Sequence, residues 1–116
     1  MGYTPEGKIK ARVRRILEIN HAYHFMPATG GYGRAGVPDF VGCYYGTFYA
    51  VECKGSINDK LTQLQQREID RITKAGGSAF IVYNDSSLKT LEQWLRITKA
   101  AAEIDDRSEK RMTNVA

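Results

Sequence analysis

Three side chains could do chemistry together. Asp39 follows Pro38, and thirteen residues later Glu52-Cys53-Lys54 closes a second apolar run. If both runs are strands, side chains alternate between faces. Glu52 and Lys54 then share one face with Phe48 and Ala50, and Cys53 points to the other. Asp39, on the neighbouring strand, can meet Glu52 across the hairpin. Two converging carboxylates repel unless a cation holds them. Hard oxygen donors suit Mg²⁺ or Mn²⁺, which take one or two carboxylates together with waters and phosphate oxygens. A lysine beside such an ion can position a water or neutralise charge developing on a phosphate. These groups together suit metal-assisted hydrolysis of a phosphodiester. The plainer alternative is a surface cross-strand charge cluster.

The surrounding elements must place these residues. Thr4-Pro5-Glu6 reads as a helix start: an N-cap, a first-turn proline and a first-turn acid. Ile9, Val13, Ile16 and Leu17 continue it as an amphipathic helix ending near Asn20. Residues 21–26 read as a short strand and 28–36 as a glycine-rich loop. Residues 37–44 and 47–54 read as two strands joined by a tight turn at Tyr45-Gly46. Thr62-x-x-Gln65 fits a capping box, opening a helix that runs to Ala75 and stops at Gly76-Gly77. Residues 79–83 read as a buried strand. Asn84-Asp85-Ser86 opens a last helix with Leu88, Leu91, Trp94 and Leu95 on one face, and fraying is expected beyond Ala102. The order is α-β-β-β-α-β-α: an α/β fold with a small mixed sheet flanked by helices. One domain is expected over residues 1–102, with a polar tail over 103–116.

Composition bounds the partners. The 116 residues carry a net charge of +4, of which residues 1–34 hold six Lys/Arg against two Glu. That bias suits a polyanion, nucleic acid first. No apolar run approaches the roughly 20 residues that span a bilayer, and no signal peptide is apparent. Two cysteines make no disulfide framework, so an intracellular, reduced protein is expected. His21, His24, Cys43 and Cys53 match no zinc spacing. The glycine-rich loop lacks the Gly-Lys-Ser/Thr of a nucleotide-binding loop. It leads into Asp39, so Arg34 can contact a nucleic-acid backbone and Tyr32 can stack on an unpaired base. Lys8, Lys10, Arg14 and Arg15 on the first helix are further candidate phosphate contacts.

Gly36-Val37-Pro38-Asp39 … Val51-Glu52-Cys53-Lys54, followed by Leu61-Thr62-Gln63-Leu64-Gln65 and Gly76-Gly77, resembles the VRR-NUC family of the PD-(D/E)xK nuclease superfamily. That family includes small phage and bacterial proteins and the nuclease domain of the Fanconi-associated nuclease. The resemblance runs from about Glu6 to Tyr83. It implies a restriction-endonuclease-like core and a Mg²⁺-dependent DNA endonuclease. By resemblance, Asp39 and Glu52 bind the metal with the Cys53 backbone carbonyl, Lys54 orients the attacking water, and Gln65 completes the site. The capping box accounts for Gln65 as well, so both readings stand. The resemblance also asks for an acid on the first helix. At about 100° per residue Glu6 falls inside the apolar stripe, whereas Glu18 points about 120° away, so Glu6 is the candidate. Branched DNA as substrate, a link to DNA repair and a bacterial or phage-infected cytoplasm follow from the resemblance alone. A two-fold homodimer is expected because cutting a junction on two strands needs two sites. The competing readings are a non-catalytic nucleic-acid-binding module and an accessory subunit of a larger enzyme.

Overall fold

The computed structural model describes residues 4–28 and 34–115. Seven elements follow in order: α1 (Pro5–Ile19), β1 (Tyr23–Phe25), β2 (Phe40–Tyr44), β3 (Thr47–Cys53), α2 (Gln63–Lys74), β4 (Ser78–Val82) and α3 (Asp85–Val115). The strands form one mixed sheet in the order β1-β2-β3-β4. β1–β2 and β2–β3 are antiparallel; β3–β4 is parallel, with α2 as the crossover. The β2–β3 hairpin turns on Tyr45 and Gly46, both at positive φ (49° and 81°). That is the twist-compatible two-residue turn, and glycine takes it without strain.

The alternation of β3 sorts its side chains between two layers. Tyr49, Val51 and Cys53 are buried in the main core with Ile9, Val13 and Leu17 of α1 and Leu88, Leu91 and Leu95 of α3. Trp94 packs on Tyr44, Tyr49 and Phe80, as a core residue does. The other face of β3 lies under α2. Helix α1 starts where its sequence says: the Gly7 N–H donates to Thr4 Oγ1 at 2.9 Å. Helix α3 is capped by Asn84, whose Oδ1 accepts from the Ser87 N–H at 2.9 Å.

Several boundaries differ from the sequence reading, three of them for a physical reason. β2 begins at Phe40 rather than at residue 37. Pro38 has no N–H for the ladder, and Gly36 is drawn instead onto the start of α2. Tyr83 is outside β4, its N–H donating to Ser87 Oγ at 3.0 Å in the α3 cap. The fraying expected beyond Ala102 does not occur, because α3 continues to Val115. Polarity there marks exposure; Lys99-Ala100-Ala101-Ala102-Glu103 are good helix formers, and neither Gly nor Pro interrupts the helix. Among the described residues, no helix is long and apolar enough to cross a membrane.

Candidate active site

The site forms where the β2–β3 hairpin meets the starts of α1 and α2. The register pairs Phe40 with Val51, so Asp39 and Glu52 lie level, one step beyond. The Cys53 N–H donates to Asp39 Oδ2 at 2.7 Å, which fixes that carboxylate against β3. Glu52 is only 4% exposed. The Gln65 amide Nε2 donates to Glu52 Oε2 at 2.9 Å, and Lys54 Nζ lies 3.7 Å from the same oxygen. Lys54 Nζ donates to Gln65 Oε1 at 2.9 Å. Gln65 Oε1 also accepts from the Thr62 N–H at 3.0 Å, while the Gln65 N–H donates to Thr62 Oγ1 at 3.1 Å. One amide thus closes the capping box and also joins Glu52 to Lys54.

Helix α1 enters from the other side. Its start abuts the residue after Lys54, since a Cβ on Gly55 would lie 3.2 Å from Pro5 Cβ and 3.3 Å from Glu6 N. Lys10 Nζ then bridges Glu6 Oε2 (3.2 Å) and Asp39 Oδ1 (3.5 Å). Glu6 is thus tied to the cluster, and Glu18 is exposed, as the helical phase requires.

Charge crowding is visible in the acid–base properties. Burial, followed by the like charge of Asp39, pushes the Glu52 carboxyl up to about 7; Lys54 draws it back only in part. Burial alone would lower the Lys10 ammonium, but Asp39 and Glu6 outweigh that and raise it. Burial, with Asp39 and Glu52 nearby, raises the Cys53 thiol well above its ordinary range, which makes it unreactive. Cys43 is exposed, Cys53 is buried, and His24 Nδ1 lies 2.8 Å from the Ala22 carbonyl, so these three side chains point to different surroundings.

Among the described residues, no three His, Cys, Asp or Glu side chains form a complete metal cage. Mg²⁺ does not need one, because it keeps several waters and accepts one or two carboxylates. Asp39 and Glu52 are hard oxygen donors whose mutual repulsion a cation would relieve. The residues present therefore fit a small divalent ion.

The basic candidates divide. Lys8 and Arg15 are exposed on α1 and make no ion pair among the described residues. Arg14 Nη2 reaches Met26 Sδ at 3.1 Å. Lys10 belongs to the acidic cluster. Arg34 is not an isolated loop cation: its Nε and Nη2 both donate to Glu68 Oε1, at 3.2 and 2.9 Å. Tyr32 and the glycines at 30, 31 and 33 lie outside the described residues.

The packing role of Gly36 and the burial of Glu68 escaped the sequence reading. A Cβ on Gly36 would come within 2.5 Å of the Leu64 backbone, and its φ is +82°, so only glycine lets this segment pack on the start of α2. Buried Glu68 could have been noticed as an acid on the helical stripe of Gln65, Ile69 and Ile72.

A mixed sheet with a β3–α2–β4 crossover and Asp39, Glu52 and Lys54 at the hairpin's end defines a restriction-endonuclease-like, nuclease-like domain. The fold is similar to a solved VRR_NUC domain, with a TM-score of 0.68 and 26% identity, over 78% of this chain and 96% of that one. This match supports membership of the VRR-NUC family. No protein-family model and no curated protein matches the sequence.

Proposed function

We propose that this chain is a divalent-metal-dependent DNA endonuclease that hydrolyses phosphodiester bonds, selects branched DNA and acts as a homodimer. The observation that carries the reading is the pairing of two crowded carboxylates, Asp39 and Glu52, with a lysine held in place by Gln65. Asp39 and Glu52, with the Cys53 carbonyl, would hold Mg²⁺ or Mn²⁺. The bound ion would polarise the phosphodiester and favour ionisation of a water. Lys54, held by Gln65, orients the attacking water or offsets charge on the phosphate. Glu6, through Lys10, steadies Asp39. Lys8, Arg14 and Arg15 supply backbone contacts that carry no sequence information.

The test is incubation of the pure protein with labelled linear, flap and four-way DNA in Mg²⁺, Mn²⁺ or EDTA. Cleavage is expected in metal and absent in EDTA. Asp39→Ala, Glu52→Ala and Lys54→Ala should each lower it by at least about 100-fold, on the order of what single groups supply to such chemistry. Calorimetry should show Mg²⁺ binding weakened by loss of either acid and largely spared by Lys54→Ala. Near-normal cleavage by Asp39→Ala protein would remove the site from the mechanism. Metal-independent DNA binding without cleavage would favour a non-catalytic module.

A further inference from the structure

Glu68 sits outside the acidic cluster, is 3% exposed, and is surrounded by arginines. Arg34 donates twice to its Oε1. Arg71 Nη1 donates to its Oε2 at 3.4 Å, and Arg67 Nε lies 4.0 Å from the same oxygen. The three arginine side chains are 53–56% exposed. One buried carboxylate thus holds Arg34 and Arg71 by hydrogen bonds and lies within ion-pair reach of Arg67, and the outer edges of all three guanidinium groups stay in water. One carboxylate cannot neutralise three cations, so a net charge of +2 remains on that cluster. Lys74 adds to it at the end of α2, and Asp70, hydrogen-bonded by Gln66 at 2.9 Å, subtracts. The surface is open and shallowly grooved. A cavity of about 330 Å³ opens between Arg34, Glu68, Arg71 and Phe48, and another of about 360 Å³ between Gln63, Arg67, Arg71 and Lys74.

Position gives this cluster its meaning. Glu68 is one helical turn beyond Gln65, roughly 4.5 Å along the axis at 1.5 Å per residue. Arg34 is two residues before Gly36, which is pressed onto Leu64, and five before Asp39. The cluster therefore borders the site along α2. Phosphates follow one another every ~3.4 Å of axis along each DNA strand, so a strand with one phosphate at Asp39 and Glu52 can bring a neighbouring phosphate here. Guanidinium forks match phosphate oxygens two at a time.

We propose that Arg34, Arg67 and Arg71, organised by Glu68, form a clamp for the DNA backbone phosphates flanking the scissile bond. This rests on the nuclease reading above. Glu68 is a positioning residue: it never meets DNA, and it sets where the arginines point.

Binding of a fluorescein-labelled four-way junction, followed by anisotropy in EDTA, tests the clamp apart from cleavage. Arg67→Ala/Arg71→Ala protein should bind about tenfold more weakly, and its log K against log salt should be shallower by roughly 2, the loss of two phosphate contacts. Glu68→Gln is the sharper variant. It adds one formal positive charge, so bulk electrostatics alone predicts tighter binding, whereas the clamp predicts weaker binding and a higher KM at near-constant kcat. Circular dichroism checks that both variants are folded. Unchanged affinity and salt slope in the double variant, or tighter binding by folded Glu68→Gln protein, would overturn the clamp and leave the nuclease reading intact. A parent protein that neither binds nor cuts DNA would overturn both.

Discussion

The Gln65 side chain donates to Glu52 at 2.9 Å and accepts from Lys54 at 2.9 Å, while also closing the cap of α2. An amide can do all three, because it carries both a donor and an acceptor. A helix start is thereby fastened to the end of the central strand, and the lysine is aimed by the element that covers it.

The two duties of Gln65 can be separated. Thr62→Ala removes the hydroxyl half of the cap and should cost about 1 kcal/mol of stability, with cleavage by the folded protein nearly unchanged. Gln65→Ala should cost a similar amount and lower kcat about 10- to 100-fold, because Lys54 loses its acceptor and Glu52 its donor. Thermal melts and single-turnover cleavage on both variants give the comparison. Equal loss of activity in the two would return Gln65 to a purely structural role.

Glu6→Gln should lower activity by about tenfold or more, and Glu18→Gln should be neutral. Lys10 spans Glu6 and Asp39 at 3.2 and 3.5 Å, so removing the Glu6 charge frees Lys10 to pair with Asp39 alone and blunt that carboxylate. Glu18 is exposed on the far side of α1. The check is a side-by-side rate measurement at saturating Mg²⁺. A damaging Glu18→Gln would mean that the active face of α1 is misassigned.

Much of this was legible in the sequence because the local signals agreed with the tertiary contacts. Thr4, Thr62 and Asn84 announce three helix starts, and the two-residue period of β3 places Glu52 and Lys54 together on one face. The helical phase of α1 alone separates Glu6 from Glu18. What escaped depends on residues far apart in the chain. Nothing near Gly36 says that the Leu64 backbone will press on it. Nothing near Arg34 says that an acid 34 positions later will hold it. The length of α3 was missed for another reason: a solvent-exposed helix lacks the apolar period that marks a packed one.

A second copy of the chain is expected in solution. Light scattering at micromolar concentration should return about twice the 13.0 kDa of one chain. Replacing Arg14 and Arg15 together by Ala should weaken linear, flap and four-way DNA by similar factors, because backbone contacts do not discriminate among them. A strict monomer that still cuts four-way junctions on both strands would contradict the two-site arrangement. A salt slope unchanged by the double substitution would leave those arginines as plain solvated charges.

The acid–base state of Glu52 should govern both stability and activity. Its carboxyl is pushed up to about 7 from an ordinary 4.5, by burial first and by Asp39 second. Between those values the folded chain keeps a proton that the unfolded chain has lost. The folded state then binds more protons, so stability falls as pH rises through this window. The cost is absent below about 4.5 and complete above about 7, where it is of order 3 kcal/mol. In EDTA, melts from pH 5 to 8 should show this decline in the parent protein, and Glu52→Gln should flatten it. Metal binding needs the ionised carboxylate, so Mg²⁺ affinity and cleavage should rise with pH through about 7. Below that pH, Mg²⁺ binding should release close to one proton, measurable by calorimetry in buffers of different ionisation enthalpy. A stability difference between parent and Glu52→Gln protein that stays constant from pH 5 to 8 would show that Glu52 is ionised throughout, and that the crowding with Asp39 is already relieved within the fold.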